Sequence, residues 1–278
     1  MSDPFKIDSP TCISFSGGRT SAYMLWRVLQ SNGGLPDEAI VCFANTGKED
    51  EKTLEFVRDC SVNWDVPITW IEYRDDEQGY LIVDFDTAAR NGEPFESIIR
   101  KYGFLPNPMA RFCTVSLKIR PMAKYLKFIG LTETASEGEN FSMIGIRADE
   151  QRRAAKIPDK SRVPLVTAQI TKEIVGDFWK QHSFDLGLAN INGESYEGNC
   201  DLCMLKNTHK IQALINAKPE RAIWWAKMES LAVNLGAEPS GSVFRTDRPN
   251  YAKMMQYAKQ QQNLFDPQEE AISCFCGD

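Results

Sequence analysis

Three groups of residues in this chain have types and spacings suited to chemistry. Cys200-Asp201-Leu202-Cys203 is a C-x-x-C, which points two thiols at one centre. Ser16-Gly17-Gly18-Arg19-Thr20-Ser21 holds two glycines, which let backbone N–H groups turn toward one point with no Cβ in the way. Ser16, Thr20 and Ser21 add hydroxyls, and a helix starting there adds about half a positive charge. Such a nest suits a phosphate or pyrophosphate. Arg147, Arg152 and Arg153 crowd a third stretch, and the planar guanidinium fork suits sulfate and phosphate. Each group also has a plain reading: a zinc site or redox dithiol, a tight strand–helix turn, and a solvated loop. The glycine loop is neither a Walker P-loop, lacking Gly-Lys-Ser/Thr, nor a G-x-G-x-x-G.

The remaining cysteines divide by context. Cys12 and Cys42 lie in apolar strands and Cys60 on a helix, where core packing is expected. A structural zinc site would use Cys200 and Cys203 with Cys113 and His209. The helix after the C-x-x-C is expected to stabilise its thiolates. Cys274 and Cys276 close the chain, either as an incidental tail or as a mobile nucleophile. His182 reads as structural, and Trp224 and Trp225 as helix packing. Arg245-x-Asp247-Arg248-Pro249 fits either a turn or a flap over a nucleotide.

These residues need elements to hold them. Thr11–Phe15 reads as a buried strand, and Ala22, Leu25, Trp26 and Leu29 recur at helical spacing after the glycine loop. That helix is expected to stop at Asn32-Gly33-Gly34. A second strand, Ala39–Ala44, runs into Asn45-Thr46-Gly47, and a helix carries Leu54, Phe56, Val57 and Cys60. Thr46 with Glu49 fits a capping box; it equally sits at a strand's carboxyl end, where ligands bind in open parallel sheets. A third strand is Ile68–Tyr73, residues 74–110 read as an irregular excursion, and a helix follows through about Ile129. A fourth strand, Phe141–Ile146, opens into the arginine stretch. Helices are expected around Ile174–Trp179, from the C-x-x-C through Ile215, and around Trp224–Met228. Alternating strands and helices predict an α/β fold with a doubly wound, mainly parallel sheet and a helical C-terminal portion. The expected division is a nucleotide-binding domain over 1–190 and a helical portion with the C-x-x-C and cysteine tail over 191–278.

With 278 residues, 42% hydrophobic and 25% charged, the chain can bury a core without disulfide staples. No run of 18 apolar residues predicts a membrane span, and the opening residues lack signal-peptide regions, so a cytoplasmic protein is expected. A net charge of −6 argues against non-specific nucleic-acid binding. Eight cysteines in a reducing compartment suggest metal or redox use for some of them.

Four islands in order carry a resemblance: Ser16-Gly17-Gly18-Arg19-Thr20-Ser21; Asn45-Thr46-Gly47 with Glu49; Cys113 with Leu117-Lys118; and Gly145-x-Arg147-x-x-Glu150-x-x-Arg153. With the C-x-x-C they resemble iron–sulfur members of the phosphoadenosine phosphosulfate (PAPS) reductase family, within the PP-loop, adenine nucleotide alpha-hydrolase-like group, over roughly residues 11–210. The resemblance implies a Rossmann-like fold. It implies nucleotide contacts at Ser16, Gly17, Gly18, Arg19, Thr20, Ser21, Asn45, Thr46, Gly47, Lys118, Gly145, Arg147 and Arg153. It implies a 4Fe-4S cluster on Cys113, Cys200 and Cys203, with zinc as the alternative, and a tail nucleophile at Cys276 or Cys274. The activity implied is reductive cleavage of an adenosine phosphosulfate to sulfite, with a thioredoxin-like thiol reductant as partner and a homo-oligomeric assembly. The alternatives are an ATP-dependent sulfurtransferase, the one reading that admits a nucleic-acid substrate, and a non-catalytic nucleotide or iron–sulfur sensor. Two positions depart from the family. Thr20 stands where nucleotide-hydrolysing members carry an acid, and Thr114 follows Cys113 where iron–sulfur adenylylsulfate reductases have a second cysteine.

Overall fold

The computed structural model describes residues 3–138, 141–191, 194–195, 197–198 and 200–260. A five-stranded sheet organises them in the order β4-β3-β2-β1-β5. The strands are β1 (Thr11–Phe15), β2 (Ala39–Asn45), β3 (Ile68–Glu72), β4 (Leu81–Val83) and β5 (Ser142–Ile144). β1, β2, β3 and β5 run parallel, with Ile13 beside Val41 on one side and Met143 on the other. β4 pairs antiparallel with β3 at the edge.

Strand alternation sends side chains to two covered faces, as parallel strands require. Ile13, Phe15, Val41, Phe43 and Trp70 pack under α1 (Arg19–Asn32), α2 (Glu51–Trp64) and further helical residues such as Val175 and Trp179. Cys12, Cys42, Ala44 and Ile71 face Met122 and Leu126 on the opposite face. The doubly wound, mostly parallel sheet expected from the sequence is therefore present.

The stretch after β3 is more ordered than expected. It contains β4 and an amphipathic helix, α3 (Glu93–Tyr102), whose Phe95, Ile98 and Ile99 are buried. Pro94 in its first turn and Gly103 in the left-handed conformation at its end are strong boundary signals. A short turn, Phe112–Thr114, and a π-helical turn, Val115–Ile119, lead into α4 (Arg120–Phe128). The fourth predicted strand is shorter than expected, Ser142–Ile144.

α5 (Lys172–Gln181) packs on α1, and α6 (Thr208–Ala217), α7 (Arg221–Asn234) and α8 (Tyr251–Gln260) follow. The last three form a second core around Trp225, Tyr251 and Phe244, and this core recruits Phe95, Ile98, Ile99 and Leu117 from before residue 190. Among the described residues no helix is long and apolar enough to cross a membrane.

Candidate functional site

Strand order reverses at β1, whose neighbours are β2 on one side and β5 on the other. Carboxyl ends at such a switch point diverge and leave a crevice. The glycine loop follows β1 and the Gly145–Arg147 segment follows β5, so both predicted anion-binding stretches end there.

Gly17 has φ +78°, and a Cβ there would fall 2.6 Å from Thr53 Cγ2 and 3.2 Å from Phe43 Cε2. Only glycine meets both demands. Ser21 Oγ accepts the Ser16 N–H at 3.1 Å, donates to the Gly18 carbonyl at 3.0 Å and lies 2.9 Å from Ser16 Oγ. Ser21 thus braces the loop internally. α1 has Gly18 as its N-cap and no side chain capping it, so the first turn of the helix faces the crevice with its positive end.

Gly145 docks directly on this loop, since a Cβ there would meet Ser21 Cα at 3.0 Å. Two residues on, Arg147 Nη1 donates to Thr20 Oγ1 at 3.0 Å. Asp149 and Glu150 flank the guanidinium at 3.2 and 3.8 Å, and Glu150 also pairs with the buried Arg153. The arginine stretch is therefore a held structure, with Arg152 its exposed member. Arg19, also expected at the nucleotide, makes a two-pronged ion pair with Asp185, at 2.7 and 2.5 Å, and donates to the Leu188 carbonyl at 3.1 Å.

Asn45 is fully buried and joins strand ends. Its Nδ2 donates to Glu72 Oε1 at 2.6 Å and to the Ala89 carbonyl at 2.9 Å, while its Oδ1 accepts the Gly47 N–H at 3.1 Å. Burial raises the Glu72 carboxyl above the usual carboxylate range. Gly47, at φ +78°, packs against Pro94 and Gly92 of the α3 entry.

The expected capping box is absent as such: Asp50, not Thr46, caps α2, its side chain accepting the Lys52 N–H. The Glu49 carboxylate instead folds back. It accepts from the Thr46 N–H at 2.9 Å, from Thr46 Oγ1 at 2.8 Å and from the Lys48 N–H at 3.2 Å, and pairs with Lys118 at 3.7 Å. Thr46 Oγ1 lies 3.4 Å from Cys200 Sγ, and Glu49 and Cys200 form an isolated antiparallel bridge.

Cys113, Cys200 and Cys203 share one cavity with Lys118, Thr46 and Trp225, its empty space about 450 Å³ including the open mouth. The π turn brings Leu117 and Lys118 to this wall, and such turns recur at functional sites. The Cys200 thiol is pushed up first by burial, then by the Glu49 carboxylate, while Lys118 pulls it down. The helix after the C-x-x-C starts only at Thr208, capped by Asn207, so the expected helix N-terminus does not stand at Cys203. Among the described residues no group of three His, Cys, Asp or Glu side chains is arranged to hold a single metal ion.

Other expectations fall out of the packing. Cys12, Cys42 and Cys60 are buried. His182 stacks on Phe178 amid Trp64, Trp179 and Phe184. His209 is exposed and outside the cysteine cavity. Arg245 pairs with Asp247, and Arg248 donates to the Lys206 carbonyl at 2.9 Å, as a turn ahead of α8. Cys274 and Cys276 lie outside the described residues.

A protein of Escherichia phage lambda described as the uncharacterized nin region protein ORF290 is 35% identical over 207 residues, 72% of this chain and 67% of that protein. The chain belongs to that phage protein's family. No protein-family model and no solved structure matches the chain. Membership of the phage family carries no stated chemistry, so the reading of the site rests on its residues. In the sequence Glu49 reads as a capping partner of Thr46 and Trp225 as helix packing, whereas their places at the cysteine cavity, and that of Glu72 beside Asn45, come from tertiary contacts.

Proposed function

We propose that this chain is an adenine-nucleotide-binding enzyme of sulfur chemistry, of the PAPS-reductase type, that cleaves an adenosine phosphosulfate reductively to sulfite. One observation carries the reading. Cys113, Cys200 and Cys203, from two stretches nearly ninety residues apart, line one cavity with Lys118 and Thr46, and Thr46 follows the strand next to that of the glycine loop.

In this reading the first N–H groups of α1 and the Arg147 guanidinium hold the nucleotide's anionic end, and Lys118 faces the transferred group. A thiolate of Cys276 or Cys274 attacks the sulfonate sulfur. The S–O bond breaks, the nucleotide leaves with its phosphate oxygen, and a cysteine S-sulfonate remains. A second thiol attacks that cysteine's sulfur, releases sulfite and leaves a disulfide, so two thiols supply the two electrons.

The resemblance points to a four-iron cluster, with zinc as the alternative. Three thiols line one cavity, and the raised Cys200 thiol would need nearby positive charge, such as a bound metal or Lys118, to ionise. Such a cluster would be held by Cys113, Cys200 and Cys203 and would supply redox or sulfur-holding chemistry. The same three-thiol cavity favours a second reading, an ATP-dependent sulfurtransferase.

Anaerobically purified protein given adenylyl sulfate, or its 3′-phosphorylated form, with dithiothreitol should release sulfite. The Cys274→Ser/Cys276→Ser variant should lose that activity and keep nucleotide binding. AMP or pyrophosphate formed from ATP and a sulfur acceptor, without sulfite release, would move the assignment to the sulfurtransferase. Neither product would reject both.

A further inference from the structure

A second cavity opens at the same edge of the sheet, past the end of β3, and no part of the reading above uses it. Its empty space is about 590 Å³ including its mouth. Four cations line it, Arg74, Lys101, Arg120 and Lys124, against one lining carboxylate, Asp76.

The sequence builds this wall from three elements. Arg74 follows directly on Tyr73 after β3, and Lys101 and Tyr102 end α3. Ser116, Arg120 and Lys124 stand at i, i+4 and i+8 along the π turn and α4, so they form one stripe. Cys113, Leu117 and Lys118 of the same stretch line the cysteine cavity instead.

Two nearby carboxylates are already engaged. Asp76 pairs with Arg74 at 2.8 Å, and Asp75 with Lys101 at 2.7 Å. Arg120 and Lys124 have no carboxylate partner among the described residues. Arg120 Nη1 reaches only Tyr102 Oη, at 3.5 Å, and that hydroxyl lies 3.0 Å from Ser116 Oγ. Lys124 Nζ donates to the Glu77 carbonyl at 3.1 Å. Gly79, at φ +73°, lies under the same lysine side chain. Two cations without counter-charge, two hydroxyls and a concave wall make a receptor for a compact anion with several acceptor oxygens.

We propose that this cavity is a second anion site, which binds a phosphate dianion, free or as a monoester, through Arg120 and Lys124. It is separate from the switch-point site at Arg147 and does not depend on the nucleotide reading of that site.

The test is calorimetric titration of the full chain with inorganic phosphate in low-salt buffer, using Arg147→Gln alone and combined with the double variant Arg120→Gln/Lys124→Gln. Both residues of the double variant are exposed, and circular dichroism checks that it folds. Arg147→Gln should bind phosphate, and the double variant combined with Arg147→Gln should lose at least about tenfold in affinity relative to Arg147→Gln alone. AMP added to Arg147→Gln separates the sources: displacement of phosphate identifies a nucleotide ester, and lack of displacement a free phosphate. Equal affinity in Arg147→Gln with and without the double substitution, or no binding by Arg147→Gln up to about 10 mM, overturns the site.

Discussion

Arg147 Nη1 donates to Thr20 Oγ1 across 3.0 Å, tying the end of β5 to the first turn of α1. The bond spans the switch point and sets the guanidinium, flanked by Asp149 and Glu150, beside the first turn of α1. Arg19, its neighbour in the loop, is engaged by Asp185 instead. The two arginines should therefore fail differently. Arg147→Ala should weaken adenine-nucleotide binding at least about tenfold with little loss of stability. Arg19→Ala should lower the unfolding free energy by no more than about 1 kcal/mol, because Asp185 is a third exposed, and leave affinity nearly intact. Equilibrium binding and urea unfolding of both variants check this.

The cysteines separate just as cleanly. Cys113, Cys200 and Cys203 line a cavity, whereas Cys12, Cys42 and Cys60 are sealed in the core. After anaerobic reconstitution with iron and sulfide, serine at any of the first three should remove most of the bound iron and the visible absorbance. Serine at Cys12, Cys42 or Cys60 should retain iron while lowering stability. Stoichiometric zinc in colourless wild-type protein would reject the cluster.

Legibility in the sequence followed how local each signal was. β1, the loop and α1 are contiguous, and Gly33 ends the helix in the left-handed conformation as its position implied. α3 escaped notice because its apolar positions are few and its partners, Trp224 and Trp225, lie over a hundred residues away. Glu49 read as a capping residue because spacing alone does not reveal that Asp50 takes that place. Nor does it reveal Lys118 closing on the freed carboxylate. Arg19 is expected at the nucleotide from the resemblance, and its ion pair with Asp185, 166 positions on, is not visible in the sequence.

Gly17 is the least replaceable residue of the loop. Alanine there would carry a left-handed φ and a Cβ 2.6 Å from Thr53 Cγ2. Gly17→Ala should cost about 1–3 kcal/mol and abolish nucleotide binding. Adding Thr53→Ser removes the clashing methyl but not the backbone strain, so it should restore only part of the stability. Full recovery in the double variant would show that sterics alone governed the position.

Glu229 sets a pH dependence in the helical core. It is buried on α7, accepts the Tyr251 N–H at 2.9 Å and the Phe244 N–H at 3.5 Å, and burial pushes its carboxyl up to about 7. The unfolded chain ionises this group near 4.5, the folded chain only near 7. Below 4.5 both states are protonated and the group costs nothing. Between 4.5 and 7 the unfolded state alone releases the proton, so stability falls as pH rises. Above 7 the loss is complete, at about 3 kcal/mol before relaxation. Arg248 opposes the shift without cancelling it. Thermal unfolding of wild type minus Glu229→Gln, followed from pH 4 to 8, should show this slope, because glutamine keeps an acceptor for Tyr251 and cannot ionise. A difference curve flat across that range would mean that Glu229 is ionised in the folded core at low pH, and that its two backbone donors outweigh burial.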